Sequence, residues 1–338
     1  MIRVAINGFG RIGRNTLKAG WNNKNIKFVG INDLTEPKIL AHLLRYDSVF
    51  GRWDKKVEAD ANHLIIAGQK IPVTAEKDPA NLPWGDLDVD VVIESTGRFT
   101  DRASASGHLK AGAKRVVISA PAKNTPTYLM GVNHKKCRLN DKIINNASCT
   151  TNSIAPVAAI MAETFGIKKA MMTTIHSATA GQSTVDGVPT PPKNDLRRSR
   201  SALVNMIPTS TGAAIATTEV IPRLKNKFDG IAVRVPTIDV SLSDFTFVLR
   251  KKVTVEQVNR EFKKAARSAR WKGVLGVTDE PLVSSDFIGC PLSSVVDLSM
   301  TRVVDGDLVK VMAWYDNEWG YSVHLLQMVE NTARFIKR

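Results

Sequence analysis

One short stretch near the N-terminus, AINGFGRIG, limits what this chain can fold into more than any other. It sets Gly8, Gly10 and Gly13 in the spacing G-x-G-x-x-G. Alone the pattern is weak, because glycine clusters also make plain turns. Here a Val/Ile-rich segment precedes it, a helix-compatible segment follows, and Asp33 ends the next strand-like run, 20 residues past Gly13. The glycines allow a tight turn and a close backbone approach, so a pyrophosphate can sit where free N–H groups point out of a helix start. Asp33 would accept ribose hydroxyls and repel a 2′-phosphate, which favours NAD; NADP use stays open. The competing interpretation is a turn followed by a surface aspartate.

The rest of the first 150 residues fits that frame. Strand candidates are Arg3–Asn7, Lys27–Asn32, Val89–Ser95, Arg115–Ser119 and Tyr128–Val132, each short and bounded by Gly, Pro, Asn or Asp. Near-continuous apolar runs suit parallel strands buried on both faces. The expectation is an α/β chain that begins with a Rossmann-type doubly wound parallel sheet. From about Lys168 the strands lengthen, as in KKAMMTTIHS, DGIAVRVPTIDVSLSDFTFVLRKK and DLVKVMAWYD, with a helix over Thr254–Ala269. That texture predicts an α+β domain with a mainly antiparallel sheet. Trp319 to Arg338 carries Leu325, Val329, Ala333 and Ile336 at helical spacing. The expected division is 1–148, 149–315 and a C-terminal helix, 316–338, returning to the first domain. A chain of 338 residues exceeds what one core usually supports.

Charge and cysteine content exclude other classes. The formal charge of +15 suits a nucleic-acid surface, an enzyme that steers phosphorylated substrates, or a basic solvated surface. Basic residues are scattered, with only short clusters such as RKK at 250–252 and RRSR at 197–200, so a dedicated nucleic-acid partner is not expected. No run approaches the roughly 18 apolar residues of a membrane span. Cys137, Cys149 and Cys290 are odd in number and widely spaced. This points to a reducing, cytoplasmic setting, and neither a disulfide framework nor a structural zinc is expected.

Cys149 stands in NNASCTTNS, between a strand-like run and the apolar stretch Ile154 to Ala162. A free cysteine is most often a small buried hydrophobe. Against that stand its polar neighbours Ser148, Thr150, Thr151 and Asn152, and its place where a helix should start. A thiol at a helix N-terminus has its pKa lowered, so the sulfur is expected to be anionic at neutral pH and nucleophilic. His176, ending the strand AMMTTIHS, is the candidate base; a lone histidine is otherwise structural.

These residues resemble the phosphorylating glyceraldehyde-3-phosphate dehydrogenase family along essentially the whole chain. The matching stretches include INGFGRIGRN, INDL, ESTGRF, AGAKRVVISAPAK, NASCTTN, HSATAGQ, DLRRSR, IPTSTGAA, RVPT and WYDNEWGYS. The resemblance implies that Cys149 attacks an aldehyde, that His176 takes the proton, and that inorganic phosphate cleaves the thioester. It implies substrate-phosphate contacts at Thr179 and Arg234. For the attacking phosphate it implies Ser148, Thr150, Thr211 and Gly212, with Arg198 close by. Around the cofactor it implies Arg11 and Ile12 at the pyrophosphate, Ser119 along the groove, and Asn317 and Tyr321 near the nicotinamide. A homotetramer and no metal are implied as well. Ser153 stands where many members have a second cysteine, Phe50 replaces a common histidine, and Ala178 and Gly181 follow His176 in place of bulkier or polar residues. The proline-rich segment 185–195 is longer than usual. A related phospho-sugar enzyme such as erythrose-4-phosphate dehydrogenase is the nearest rival, although STGAA at Ser210–Ala214 is retained. A basic nucleotide- or RNA-binding protein is the more distant one.

Overall fold

The computed structural model describes residues 1–188 and 195–336. Contacts divide the chain into two units, Met1–Ser148 with Ser322–Arg338, and Cys149–Tyr321.

In the first unit a parallel sheet runs in the order Ile143–Asn145, Arg115–Ile118, Val91–Glu94, Ile2–Asn7, Ile26–Asn32 and Gln69–Thr74. The central strands are buried on both faces, as their unbroken apolar runs require. Ala5, Val29, Trp84, Val89 and Val92 pack together on this sheet. Two antiparallel strands, His63–Ile66 and Val57–Ala59, extend the edge beyond Gln69–Thr74. Ala67 and Gly68, both at positive φ, make the two-residue turn between His63–Ile66 and Gln69–Thr74. Chain order reverses between Ile2–Asn7 and Val91–Glu94, so the strand ends there form the crevice where open α/β sheets bind ligands.

One expected strand is absent. Tyr128–Val132 forms turns, and the outermost parallel strand is Ile143–Asn145. The Asn133 side chain accepts from the Leu129 N–H (2.8 Å) and donates to the Thr127 carbonyl (2.8 Å). Gly131 has φ +73°. A side-chain amide has taken the backbone groups a sheet would have used.

The second unit holds a seven-stranded sheet in the order Ile207–Ser210, Phe228–Val235, Ile167–Ser177, Ser241–Leu249, Leu308–Tyr315, Ser294–Val304 and Leu275–Thr278. Pairing is mainly antiparallel; Phe228–Val235 beside Ile167–Ser177 and Leu275–Thr278 beside Ser294–Val304 run parallel. Ser241–Leu249 alternates buried and half-buried residues along its length, the mark of a sheet with one covered face. The helix Val255–Arg267 starts with a capping box between Thr254 and Gln257 and buries Val258 and Phe262. The helix Cys149–Thr164 is different. It is buried from Thr150 through Ala162 on every side, as its nearly all-apolar middle dictates.

No helix among the described residues is long and apolar enough to cross a membrane.

Candidate active site

Cys149 is the first residue of that buried helix, so the sulfur is fixed by the most enclosed element of its unit while the residue itself remains half-buried. His176 comes from the end of the strand Ile167–Ser177 and is 3% exposed. Its Nε2 lies 3.5 Å from Cys149 Sγ. Strand register brings Arg234 directly across from His176, and Ile207 across from Arg234. The Arg234 Nη1 lies 2.6 Å from His176 Nδ1 and donates to the Ser177 carbonyl at 3.0 Å. Arg198, also buried, is held by two bonds to Thr209 Oγ1 (3.1 and 2.9 Å).

The protonation states follow from these neighbours. Burial, then the Arg234 charge, pushes His176 down to about 3, with a smaller push from Arg198. The imidazole is therefore neutral at physiological pH. Its Nδ1 lies 2.8 Å from the Ser177 carbonyl, which can only accept. Nδ1 thus lies between a carbonyl that can only accept and a guanidinium that can only donate; when its proton points to the Ser177 carbonyl, the Nε2 lone pair faces the sulfur.

The anionic resting sulfur expected from the helix start is corrected here. Burial pushes the Cys149 thiol up, against the opposing pull of Arg234 and of the Thr150 hydroxyl and N–H. Thiol and imidazole thus rest as a neutral pair, poised for proton transfer from S to Nε2.

Sequence reasoning missed two groups that support the site. The Tyr315 hydroxyl lies between Thr150 Oγ1 (2.9 Å) and Thr174 Oγ1 (2.8 Å). Its ring meets the His176 ring edge-on at 5.9 Å between centroids. Thr150 is buried, its hydroxyl shared between Tyr315 and the Cys149 sulfur, which its N–H also approaches. The second group is a pair of serines. Ser177 and Ser241 both donate to Asn317 Oδ1, at 2.9 and 2.7 Å. This turns the donor end of the Asn317 amide outward from the two serines, as recognition of a carboxamide carbonyl requires.

The remaining phosphate candidates bond within their own segments. Thr179 is exposed, its N–H and hydroxyl on Gln182 Oε1. Thr211 Oγ1 accepts from the Ala213 N–H at the start of the helix Ala213–Val220, and Gly212 is exposed with open space around it. Ser148, half-buried, ends the first unit. Ser153, one turn below Cys149, is fully buried. Of the segment 185–195, residues 189–194 lie outside the described residues.

In the first unit the glycine turn passes a direct steric test. Gly8 has φ +90°, and a Cβ there would come within 2.6 Å of the Thr96 amide nitrogen. A Cβ on Gly13 would collide with the Gly8 carbonyl. Gly10 meets nothing within 4 Å, and it is the N-cap of the helix Arg11–Gly20 with no side chain capping it. Two glycines are thus required by the fold, and the third leaves open space at a helix start that no side chain caps, the form a pyrophosphate cradle takes. Asp33 receives the Phe9 N–H (2.7 Å) and the Thr35 N–H (3.0 Å), one on each oxygen, which leaves each oxygen a lone pair for a ribose hydroxyl. Arg11 donates to the buried Asp47 at 2.6 Å, with its guanidinium over the Phe50 ring. Its guanidinium is thereby tied back, and Ile12 is half-buried in the first turn of the helix. Ser119 follows the strand Arg115–Ile118, its N–H on the Glu94 carbonyl. These residues fit a bound dinucleotide.

Behind the turn lies a buried network that sequence reasoning also missed. Trp84 Nε1 donates to His108 Nδ1 at 3.0 Å, so His108 must carry its proton on Nε2, which donates to Glu94 at 2.9 Å. Glu94 also accepts from Asn7 and from the N–H and hydroxyl of Thr96, the residue against which Gly8 packs.

Comparison with known proteins agrees with both halves of this geometry. Residues 2–102 match the glyceraldehyde 3-phosphate dehydrogenase NAD binding domain, and residues 148–317 match the C-terminal domain of the same enzyme. The chain belongs to the glyceraldehyde-3-phosphate dehydrogenase family. It is 52% identical over 330 residues to glyceraldehyde-3-phosphate dehydrogenase 1 of Bacillus cereus, covering 97% of each chain. To the Geobacillus stearothermophilus glyceraldehyde-3-phosphate dehydrogenase it is 51% identical over 329 residues, again 97% of each. The Bacteroides fragilis glyceraldehyde-3-phosphate dehydrogenase is 49% identical over 331 residues, 97% of this chain and 98% of that one. Within the family's catalytic domain, Cys149, His176, Arg198 and Arg234 fall inside the matched segment.

Proposed function

We propose that this chain oxidises glyceraldehyde 3-phosphate with inorganic phosphate to 1,3-bisphosphoglycerate, reversibly, using NAD. The observation that carries the proposal is the 3.5 Å contact between Cys149 Sγ and a neutral His176, with Arg234 against the same imidazole. The sulfur adds to the aldehyde carbon as its proton passes to Nε2, and the imidazolium hands that proton to the former carbonyl oxygen, giving a thiohemiacetal and a neutral imidazole again. His176 serves next as the group that removes the hydroxyl proton, while bound NAD supplies the acceptor for the departing hydride. The product is a Cys149 thioester. A phosphate oxygen attacks its carbonyl carbon, and the Cys149 sulfur leaves as the acyl phosphate forms.

The two-phosphate requirement explains the cations. Arg234 and Thr179 are assigned to the phosphate of the substrate. Arg198, with Ser148, Thr150, Thr211 and Gly212, is assigned to the attacking phosphate. Arginine is the residue for oxyanions because its planar fork donates in pairs. Gly8, Gly10, Arg11, Ile12, Gly13, Asp33 and Ser119 are assigned to NAD from the first unit, with Asn317 and Tyr321 from the second.

We also infer a homotetramer. Exposed apolar residues in the second unit, among them Met171, Leu203, Val204, Met206 and Ile231, support self-association. A cytoplasmic setting is supported by three free cysteines.

The test is direct. Purified protein reduces NAD with glyceraldehyde 3-phosphate only when phosphate or arsenate is present. Cys149→Ser lowers kcat by at least about a thousandfold. Turnover without phosphate would reassign the chain to a non-phosphorylating dehydrogenase.

A further inference from the structure

Two carboxyl groups in the second unit serve none of the steps above. Asp239 is 3% exposed, and no N–H or O–H makes a well-formed hydrogen bond to either of its oxygens. Asp316 is 1% exposed but richly bonded: it accepts the N–H of Gly289 (2.8 Å), Glu318 (2.9 Å) and Trp319 (2.6 Å). The two side chains face one another. A buried carboxylate with no well-formed donor, only the poorly aligned Val240 N–H, is strongly disfavoured as an anion beside a second carboxylate.

The surrounding backbone shows that the arrangement is imposed. Val240, directly after Asp239, has φ +65°, a region that a β-branched residue enters only when its surroundings force it. One residue on, Ser241 pairs with Tyr315 across the sheet and its hydroxyl holds Asn317. Asp239 and Asp316 therefore form one rung, and Ser241 and Asn317 the next, of a ladder joining the Asp239–Ser241 turn to the Asp316–Asn317 turn.

We propose that Asp239 and Asp316 share a single proton in a carboxylic acid–carboxylate hydrogen bond, and that this bond positions Asn317 and keeps a second negative charge away from Cys149. The proton resides on Asp239, because three well-formed N–H donors stabilise the anion of Asp316 while Asp239 has only a poorly aligned one, from Val240. Other titratable groups facing the pair are Glu318, which acts on Asp239, Cys149, which feels Asp239, and Cys290, which feels Asp316. Burial, then Asp316 and Glu318, pushes Asp239 up to about 8. Asp239 is a positioning residue. As pH rises past that point the proton leaves, the carboxylates repel, and the thiol at Cys149 becomes harder to ionise. The consequence for catalysis rests on Cys149 being the nucleophile, but the proton itself does not.

Asp239→Asn separates the two, since the amide still donates to Asp316 but cannot ionise. Infrared difference spectra of the wild-type protein should show a protonated-carboxyl band at neutral pH that disappears on mild alkalinisation and is missing in Asp239→Asn. Alkylation of Cys149 by iodoacetamide, followed on its own peptide by mass spectrometry, should be roughly three- to tenfold faster at pH 9 in Asp239→Asn than in wild type. It should also follow a single proton loss in the variant and two in the wild type. Absence of the band in wild type overturns the proposal whether or not the variant folds. So do superimposable alkylation profiles of the two proteins. Neither readout requires turnover, so a failure here is distinguishable from a failure of the dehydrogenase assignment.

Discussion

Arg234 and His176 are cross-strand neighbours in a parallel pair, with the guanidinium Nη1 2.6 Å from the imidazole Nδ1. A fixed cation thus stands beside the base that must stay neutral to work. With Arg234 assigned to the substrate phosphate as proposed above, one arginine has two duties: to hold that anion and to suppress protonation of the imidazole beside it.

Arg234→Gln should reveal both duties. Losing a charge-assisted fork to phosphate costs about 1.5–3 kcal/mol, so KM for glyceraldehyde 3-phosphate should rise roughly 10- to 100-fold. His176 should also titrate at a higher pH, moving the acid limb of kcat/KM upward, as NMR of labelled histidine would measure. The stability effect has a definite sign. The folded pKa of about 3 lies below the unfolded value of 6.5, so wild-type stability falls as pH drops from 6.5 toward 3. Arg234→Gln should shrink that loss. An unmoved His176 titration would detach Arg234 from the imidazole.

The three glycines of the N-terminal turn should separate cleanly by melting and by binding. Gly8→Ala forces a Cβ into the Thr96 backbone at a positive φ, and Gly13→Ala forces one into the Gly8 carbonyl. Each should cost about 2 kcal/mol or more in stability. Gly10→Ala should leave Tm within a degree or two yet weaken NAD binding by about tenfold, because its methyl enters only the open space. Calorimetric melting with NAD titration checks all three. Weak NAD binding in Gly8→Ala at full stability would be the contrary outcome.

Asp33 keeps one lone pair per oxygen after accepting the Phe9 and Thr35 N–H groups. Asp33→Gly should weaken NAD and strengthen NADP, shifting the ratio of their kcat/KM values by about tenfold or more toward NADP. Equal NADP use before and after substitution would remove Asp33 from the ribose.

Tyr315→Phe removes a hydroxyl shared by Thr150 and Thr174, leaving two buried hydroxyls to find new partners. A stability loss of about 1–3 kcal/mol is expected, with kcat reduced and KM little changed. A rise in KM alone would mean that Tyr315 acts on binding rather than on the thiol–imidazole pair.

How much of this was legible in the chain depends on the kind of residue. The glycine turn was legible because steric demands on Gly8 and Gly13 leave few alternatives, and Asp33 lies at a distance set by one strand–helix–strand unit. The outer strand at Tyr128–Val132 was misread because Asn133 diverts backbone groups through its side chain, an effect that apolar patterning does not register. Tyr315 was invisible, since a tyrosine in VMAWYD reads as packing until the sheet register places it across from Ser241 and between two threonines. Asp239 reads as an ordinary loop acid in RVPTIDVS; only its burial and its partner make it unusual. The charge state of Cys149 was misjudged because the helix start was visible in the sequence and the enclosure of the site was not.

The helix that begins at Cys149 is enclosed on all sides for most of its length. Its amides should therefore be among the last to exchange with deuterium, opening only when the whole unit does. On the proposed mechanism, the atom that makes and breaks a covalent bond in every cycle is carried by a segment with little freedom to breathe. Repeated acylation then strains no flexible hinge, and the lifetime of the nucleophile is the lifetime of the fold.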